Sequence, residues 1–223
     1  MLKRQKRLTK RQIKEDKFVT FYFKAQDYLK QNSRAIMYGI GVAVLIILAG
    51  FIYSKKQAEK EASAVVELTK AKLAYFENDY GKAIPILKDL VENYGGSRGS
   101  NEGLFYLANA YYELKNYVNA ERRYKQFLGK GNDDILLSSA MSGIAACLEQ
   151  QKNYAVAAKM YREAAEKYNE TFVAPQNLYA AARCYALAGE SEEARRLLNQ
   201  IIEKHSNSSL KSDAEVLLAE LLS

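Results

Sequence analysis

Few side chains in this sequence are placed to do covalent chemistry. His205 is the sole histidine among 223 residues. It follows Lys204 at the end of an apolar-periodic segment, where a cation simply suits the carbonyl end of a helix dipole. Acid–base catalysis or metal binding needs a second titratable or ligating group at a defined spacing, and none accompanies it. The stretch from Gly95 to Gly103 is rich in glycine, but it lacks the Lys-Ser or Lys-Thr of a phosphate loop and follows a helical pattern rather than a strand. It is expected to be a linker. Cys147 and Cys184 stand 37 residues apart, at equivalent places in successive units of a repeat. Packed helices lie ~8–10 Å apart, beyond the ~7 Å between Cα atoms that a disulfide tolerates. Two buried free thiols are therefore expected, even in an oxidising compartment. No catalytic residue, metal ligand or cofactor is expected, and the protein is not read as an enzyme.

What remains is recognition chemistry. Lys72, Tyr75 and Phe76, then Phe105, Asn109 and Tyr112, then Ser142, Ala146 and Glu149, then Tyr179 and Arg183 recur at helical spacing, away from the positions that must pack. In a stacked-helix repeat, the first helices of successive units line the concave surface. Its N-terminal half is aromatic, as suits a surface that takes apolar peptide segments. Packing of some of these rings between units is an equal alternative. Arg122, Arg123 and Lys125 are expected on a solvated face.

The elements that must hold these groups follow from a fixed period. Ala71, Ala108, Ala145 and Ala182 are spaced by 37 residues, as are Ala83, Ala120, Ala157 and Ala194. A small side chain at such places lets two helices approach closely, while larger neighbours fill the gaps. These are Leu104, Leu107, Tyr111, Tyr124 and Phe127, then Met141, Ile144, Leu148, Tyr161 and Ala164, then Leu178, Tyr185, Leu198 and Ile201. Short turns of the type Glu77-Asn78-Asp79-Tyr80 separate two helices within each unit, with Asn or Asp placed to cap the second. Gly95-Gly96-Ser97, Gly129 to Asp134, Asn169 to Pro175 and Ser206 to Ser209 read as linkers. Pro85 should bend or shorten the second helix of the first unit. The fold class is all-α: about four helix-turn-helix units over 64–100, 101–137, 138–174 and 175–209, closed by a capping helix over 210–222.

Charge and hydropathy divide the rest. The net charge is +7, yet residues 1–34 alone carry 11 basic and three acidic residues, leaving the other 189 close to neutral. That distribution does not fit a nucleic-acid-binding domain, whose basic excess covers the folded surface. Ala35 to Tyr53 contains no charged residue across 19 positions, long enough at ~1.5 Å per residue to cross a ~30 Å hydrocarbon core. A cleaved signal peptide fits poorly, because the basic region is too long and charges separate the run from Ala62-Ser63-Ala64. The expected layout is a basic cytoplasmic tail over 1–34, one transmembrane helix over 35–53 and an exported domain over 54–223, with the N-terminus on the cytoplasmic side. Phe18, Phe21, Tyr22, Ala25, Tyr28 and Leu29 predict an amphipathic helix in the tail, suited to an anionic membrane surface or to a docking partner. Ala35, Gly39 and Ala43 form a small-residue stripe that would let another transmembrane helix approach. Lys55 to Phe76 is free of Gly and Pro, so the membrane helix is expected to continue into the first unit.

The pattern Leu107-Ala108, Tyr111, Ala120, Tyr124 resembles the tetratricopeptide repeat. The resemblance implies a right-handed solenoid that binds proteins. Two departures are the absence of Trp and the replacement of the repeat-ending proline by Gly95, Asn132, Asn169 and Ser206. The basic residues of chaperone-tail clamps are not matched. The whole layout is similar to the YfgM-type ancillary subunits of the bacterial Sec translocon. That similarity implies an inner-membrane protein with a periplasmic repeat domain, whose partners are the translocon and exported chains or periplasmic chaperones. Repeat scaffolds of envelope assembly or cell division are the alternative.

Overall fold

The computed structural model describes residues 17–205 and 207–223, with side chains from Thr20 onward. The basic residues from Lys3 to Lys14, the Phe18 side chain and Ser206 lie outside that description. Among the described residues there are ten helices and no strand. They fall into two compact units, the chain dividing between Gln57 and Ala58.

The first unit holds α1 (Lys17–Gln31) and the start of α2 (Ser33–Phe76). The uncharged run lies in α2, which is long and apolar enough to cross a membrane, with none of its apolar window buried. The second unit holds the rest of α2 with α3 (Tyr80–Asn93), α4 (Arg98–Glu113), α5 (Tyr117–Leu128), α6 (Asp134–Gln150), α7 (Tyr154–Lys167), α8 (Ala174–Leu187), α9 (Ser191–Lys204) and α10 (Lys211–Glu220). It is a TPR-like solenoid of antiparallel helix pairs in which each helix from α3 onward packs on the next.

Each pair is closed by the same backbone device. Asn78, Lys115, Lys152 and Gly189 all have φ between 58° and 81°, one per unit and 37 residues apart. At each, this residue's N–H donates to the carbonyl three residues back, and the next residue's N–H donates to the carbonyl five residues back, as in Lys115 to Tyr112 and Asn116 to Tyr111, both at 2.8 Å. This is the Schellman ending, which satisfies orphan carbonyls by turning one residue left-handed. Asp79 and Asn116 then cap α3 and α5, accepting from Lys82 N–H and Asn119 N–H. Asn153 occupies the corresponding place before α7 without a side-chain cap bond.

All eight periodic alanines are fully buried. Around them Leu104, Leu107, Tyr124, Phe127, Met141, Ile144, Tyr161, Ala164, Leu178, Tyr185, Leu198 and Ile201 are buried, while Tyr111 and Leu148 are half-buried. The last pair is covered by α10, whose Ala214 is buried against the same cluster that Leu217, Leu218 and Leu221 flank.

Two expectations are corrected in part. Pro85 does not shorten α3, which has 14 residues like α7 and α9. Its missing N–H costs only the bond to the Gly81 carbonyl in an exposed second turn. The stretch from Gly95 to Gly103 is not wholly a linker either, because α4 begins at Arg98. Ser97 caps that helix by accepting from Ser100 N–H, and Glu61 of α2 accepts from Arg98 N–H at 2.9 and 3.2 Å. The glycines inside it serve close approach. A Cβ on Gly99 would lie 3.0 Å from the Ala64 carbonyl group, and one on Gly103 would lie 2.8 Å from Leu90.

Candidate functional site

First helices of successive pairs touch directly, α4 with α6 and α6 with α8, whereas no two second helices approach as closely. The first helices therefore stand on the tighter, concave side. That side carries the predicted recognition residues, but the structure sorts them into distinct groups.

At the N-terminal end lies a connected set of rings. Tyr75 meets Phe76, Tyr80 and Tyr106 edge-on, with centroids 5.4–5.5 Å apart. Phe76 also meets Tyr106, and Tyr106 meets Phe105. Edge-to-face contacts of this kind bring the positive ring edge to a negative face. Lys72 Nζ sits 4.8 Å above the Tyr106 ring and 2.9 Å from Glu102 Oε1. Burial alone would lower the Lys72 pKa, but hydrogen bonds to Glu102 and Tyr106 outweigh it and hold the ammonium above its ordinary value. Burial pushes the Tyr75 hydroxyl up to about 12, with Glu113 adding to the effect. Phe76 is the open member, 65% exposed.

The second group faces inward. Phe105 turns from the groove toward Tyr124 and Phe127 of α5. Asn109 accepts a hydrogen bond from the Tyr124 hydroxyl, and the Tyr124 ring fills the space a side chain at Gly143 would need. Asn109, a predicted ligand contact, is thus tied up in joining α4 to Tyr124 of α5, the ring that packs against α6. Tyr112 stacks edge-on with Tyr117, whose hydroxyl donates to Gln150 across 3.4 Å. Phe105 and Tyr112 are therefore packing groups between α4 and α5.

Farther along, Arg183 donates from both guanidinium ends to Glu149, at 2.6 and 2.9 Å, and the Tyr161 hydroxyl donates to Glu149 across 3.4 Å. The carboxylate raises the Arg183 pKa through these bonds. Ser142 donates to Asn177 at 2.5 Å, and Asn177 donates to buried Ser138 at 3.0 Å. Ala146 and half-buried Tyr179 pack against the core. Cys147 and Cys184 are free and buried; burial raises both thiols to about 12, with Glu121 and Glu149 contributing respectively. His205 caps the C-terminus of α9. Arg122 pairs with Asn119 and Lys125 with Glu121 on the exposed face of α5, while Arg123 is half-buried there. Ala35, Gly39 and Ala43 are exposed along α2, and nothing lies within 4 Å of where a Gly39 Cβ would be.

Sequence reasoning missed Tyr106 and Glu102, the partners that organise the N-terminal group. Glu102 falls in the stretch that reads as a linker because Gly99 and Gly103 disguise the start of α4, whereas Tyr106 lies on the expected helix between Phe105 and Leu107 without being singled out. The capping pattern Ser97-x-x-Ser100 was the available signal.

Stacked helical pairs with a concave surface of rings and paired charges define a class: the helical-repeat scaffolds that bind other proteins. A tetratricopeptide repeat-like domain matches residues 26–167, and a tetratricopeptide repeat matches residues 148–221. The chain belongs to the tetratricopeptide repeat-like family. No curated protein sequence matches it. Among solved structures it is similar to the nearly identical TPR-like repeats of a kinesin light chain from Podosopora anserina, with a TM-score of 0.59 and 14% identity over 72% of this chain and 86% of that one. A single-substitution variant of that protein matches at the same score and identity over 85% of its length. At this identity the likeness concerns the fold alone.

Proposed function

We propose that this protein is a membrane-anchored scaffold of the bacterial cell envelope. Ala35 to Tyr53 spans the inner membrane, the N-terminal tail is cytoplasmic and the repeats over 54–223 are periplasmic. The observation that carries this reading is α2: a single helix contains both an exposed uncharged run of membrane length and the first packing helix of the repeat domain. The basic tail supplies the orientation. The layout supports a role as an ancillary translocon subunit that holds exported chains or recruits periplasmic chaperones, with Ala35, Gly39 and Ala43 as the stripe against a neighbouring membrane helix. Lys72, Tyr75, Phe76, Tyr106 and the Glu149–Arg183 pair form the surface offered to a polypeptide. The near-neutral repeat domain favours apolar and aromatic recognition over bulk charge.

Mild-detergent purification of the full chain, followed by identification of co-purifying membrane subunits, tests the assignment. Translocon components are expected; cell-wall or outer-membrane assembly factors in their place would assign it to the other scaffold class. Protease added to spheroplasts should remove the repeats and spare the tail, and the reverse pattern would overturn the topology. Tyr75→Ala with Phe76→Ala should weaken capture of the co-purifying chain at least tenfold while leaving the fold intact.

A further inference from the structure

The apolar run of α2 is preceded almost at once by a second amphipathic element. α1 ends at Gln31, and the single non-helical residue Asn32 separates it from α2. Asn32 N–H donates to the Tyr28 carbonyl at 3.0 Å, its side-chain amide donates to the same carbonyl at 3.1 Å, and Ile36 N–H donates to the Asn32 carbonyl at 2.9 Å. From Gln31 to Ala35 the chain reaches at most ~14 Å even when fully extended. Wherever the run is held, the end of α1 is held beside it.

Phe21, Tyr22, Ala25, Tyr28 and Leu29 occupy about one third of the circumference of α1 at 100° per residue. The four large members are 54–70% exposed. Thr20, Lys24, Asp27 and Gln31 lie opposite. From Lys17 to Arg34 the charges are Lys17, Lys24, Lys30 and Arg34 against Asp27 alone, a net of +3. Apart from Phe23, whose 57% exposed ring lies on the polar side, rings on one face with cations on the other match a surface that is apolar below and negatively charged above, which is the surface of an anionic phospholipid leaflet.

We propose that α1 lies along an anionic phospholipid surface at the cytoplasmic end of the span, aromatic face inward, with Asn32 as the residue where the chain turns into the bilayer. This rests on the reading of Ala35 to Tyr53 as the span. A protein partner for the same face would have to compete with a bilayer already within ~14 Å, and nothing among the described residues covers the face.

The chain contains no tryptophan, so one introduced residue reports its own depth. Full-length Tyr22→Trp, Thr20→Trp and Phe51→Trp proteins would be reconstituted in phosphatidylcholine vesicles with or without phosphatidylglycerol, and quenched by lipids brominated along the acyl chain. Phe51→Trp and Tyr22→Trp should be quenched, and Thr20→Trp should not. Quenching at Tyr22→Trp should increase at least twofold with phosphatidylglycerol and lose that increase when Lys24→Glu and Lys30→Glu are added. A quenched Phe51→Trp beside an unquenched Tyr22→Trp would overturn the proposal and leave the aromatic face to a protein. An unquenched Phe51→Trp would overturn the span itself, and this proposal with it.

Discussion

Lys115 and Lys152 hold a left-handed backbone that costs a residue with a Cβ about 1–2 kcal/mol, a cost that glycine escapes. Part of that gain is offset by the greater freedom glycine has when unfolded. Lys115→Gly and Lys152→Gly should each raise stability by about 0.5–1 kcal/mol in urea unfolding, whereas Gly189→Val should lower it by about 1–2 kcal/mol. Equal effects at all three positions would contradict the shared turn. Gly143 gives the opposite lesson. Its φ is ordinary, but the Tyr124 ring occupies the place of its Cβ, so Gly143→Ala should cost about 1–3 kcal/mol by displacing that ring from Asn109. The two thiols carry a pH dependence. They are neutral up to about 12 in the folded chain, against an ordinary 9.0. The folded state therefore keeps protons that the unfolded chain releases, so this stability is complete below pH 9 and is lost as pH rises from 9 to 12. Cys147→Ala with Cys184→Ala, which copies Ala110 at the equivalent place, should shrink that alkaline loss in urea midpoints compared across the window. The native protein should also resist thiol alkylation until it is unfolded.

Among the elements, α3 and α4 show where local signals mislead. Pro85 sits in an exposed turn of α3 and removes one backbone bond without ending the helix. Pro85→Ala should therefore raise stability by about 1–3 kcal/mol, measured by thermal melting with helicity followed by circular dichroism. Helix α4 starts inside what reads as a glycine linker, because Gly99 meets backbone atoms of Ala64 that cannot move aside. Gly99→Ala should accordingly cost about 1–3 kcal/mol, and loss of the Glu61 cap on Arg98 N–H should accompany it. The within-pair turns were legible in the sequence through Asn78, Asn116 and Asn153, since Asn and Asp favour caps and turns for local hydrogen-bonding reasons. The start of α4 was not, because glycine marks a loop and a close helix contact alike.

In the solenoid as a whole, α10 covers the apolar face that the last pair would otherwise expose, and repeat arrays depend on such ends. Leu217→Asp with Leu218→Asp should lower the urea midpoint of the repeat domain, with the largest loss of hydrogen-exchange protection in α8 and α9 and the smallest in α3. Uniform loss would mean that the array unfolds as one block. The period of 37, eight alanines, the large residues beside them and the free thiols all follow from the sequence, because small side chains at a fixed interval leave few ways to pack one helix on the next. The uncharged run and the one-sided charge are also plain in it. Which rings face the groove was decided only by tertiary structure. Asn109 and Tyr112 stand at the same places in their unit as Lys72 and Tyr75 do in theirs, 37 residues earlier. Yet Tyr124 and Tyr117 of α5 claim the first set, whereas Tyr106 and Glu102 gather the second. Helical period tells which residues share a face, but a side chain's partners depend on neighbouring helices, whose distances are set by glycines and alanines far along the chain.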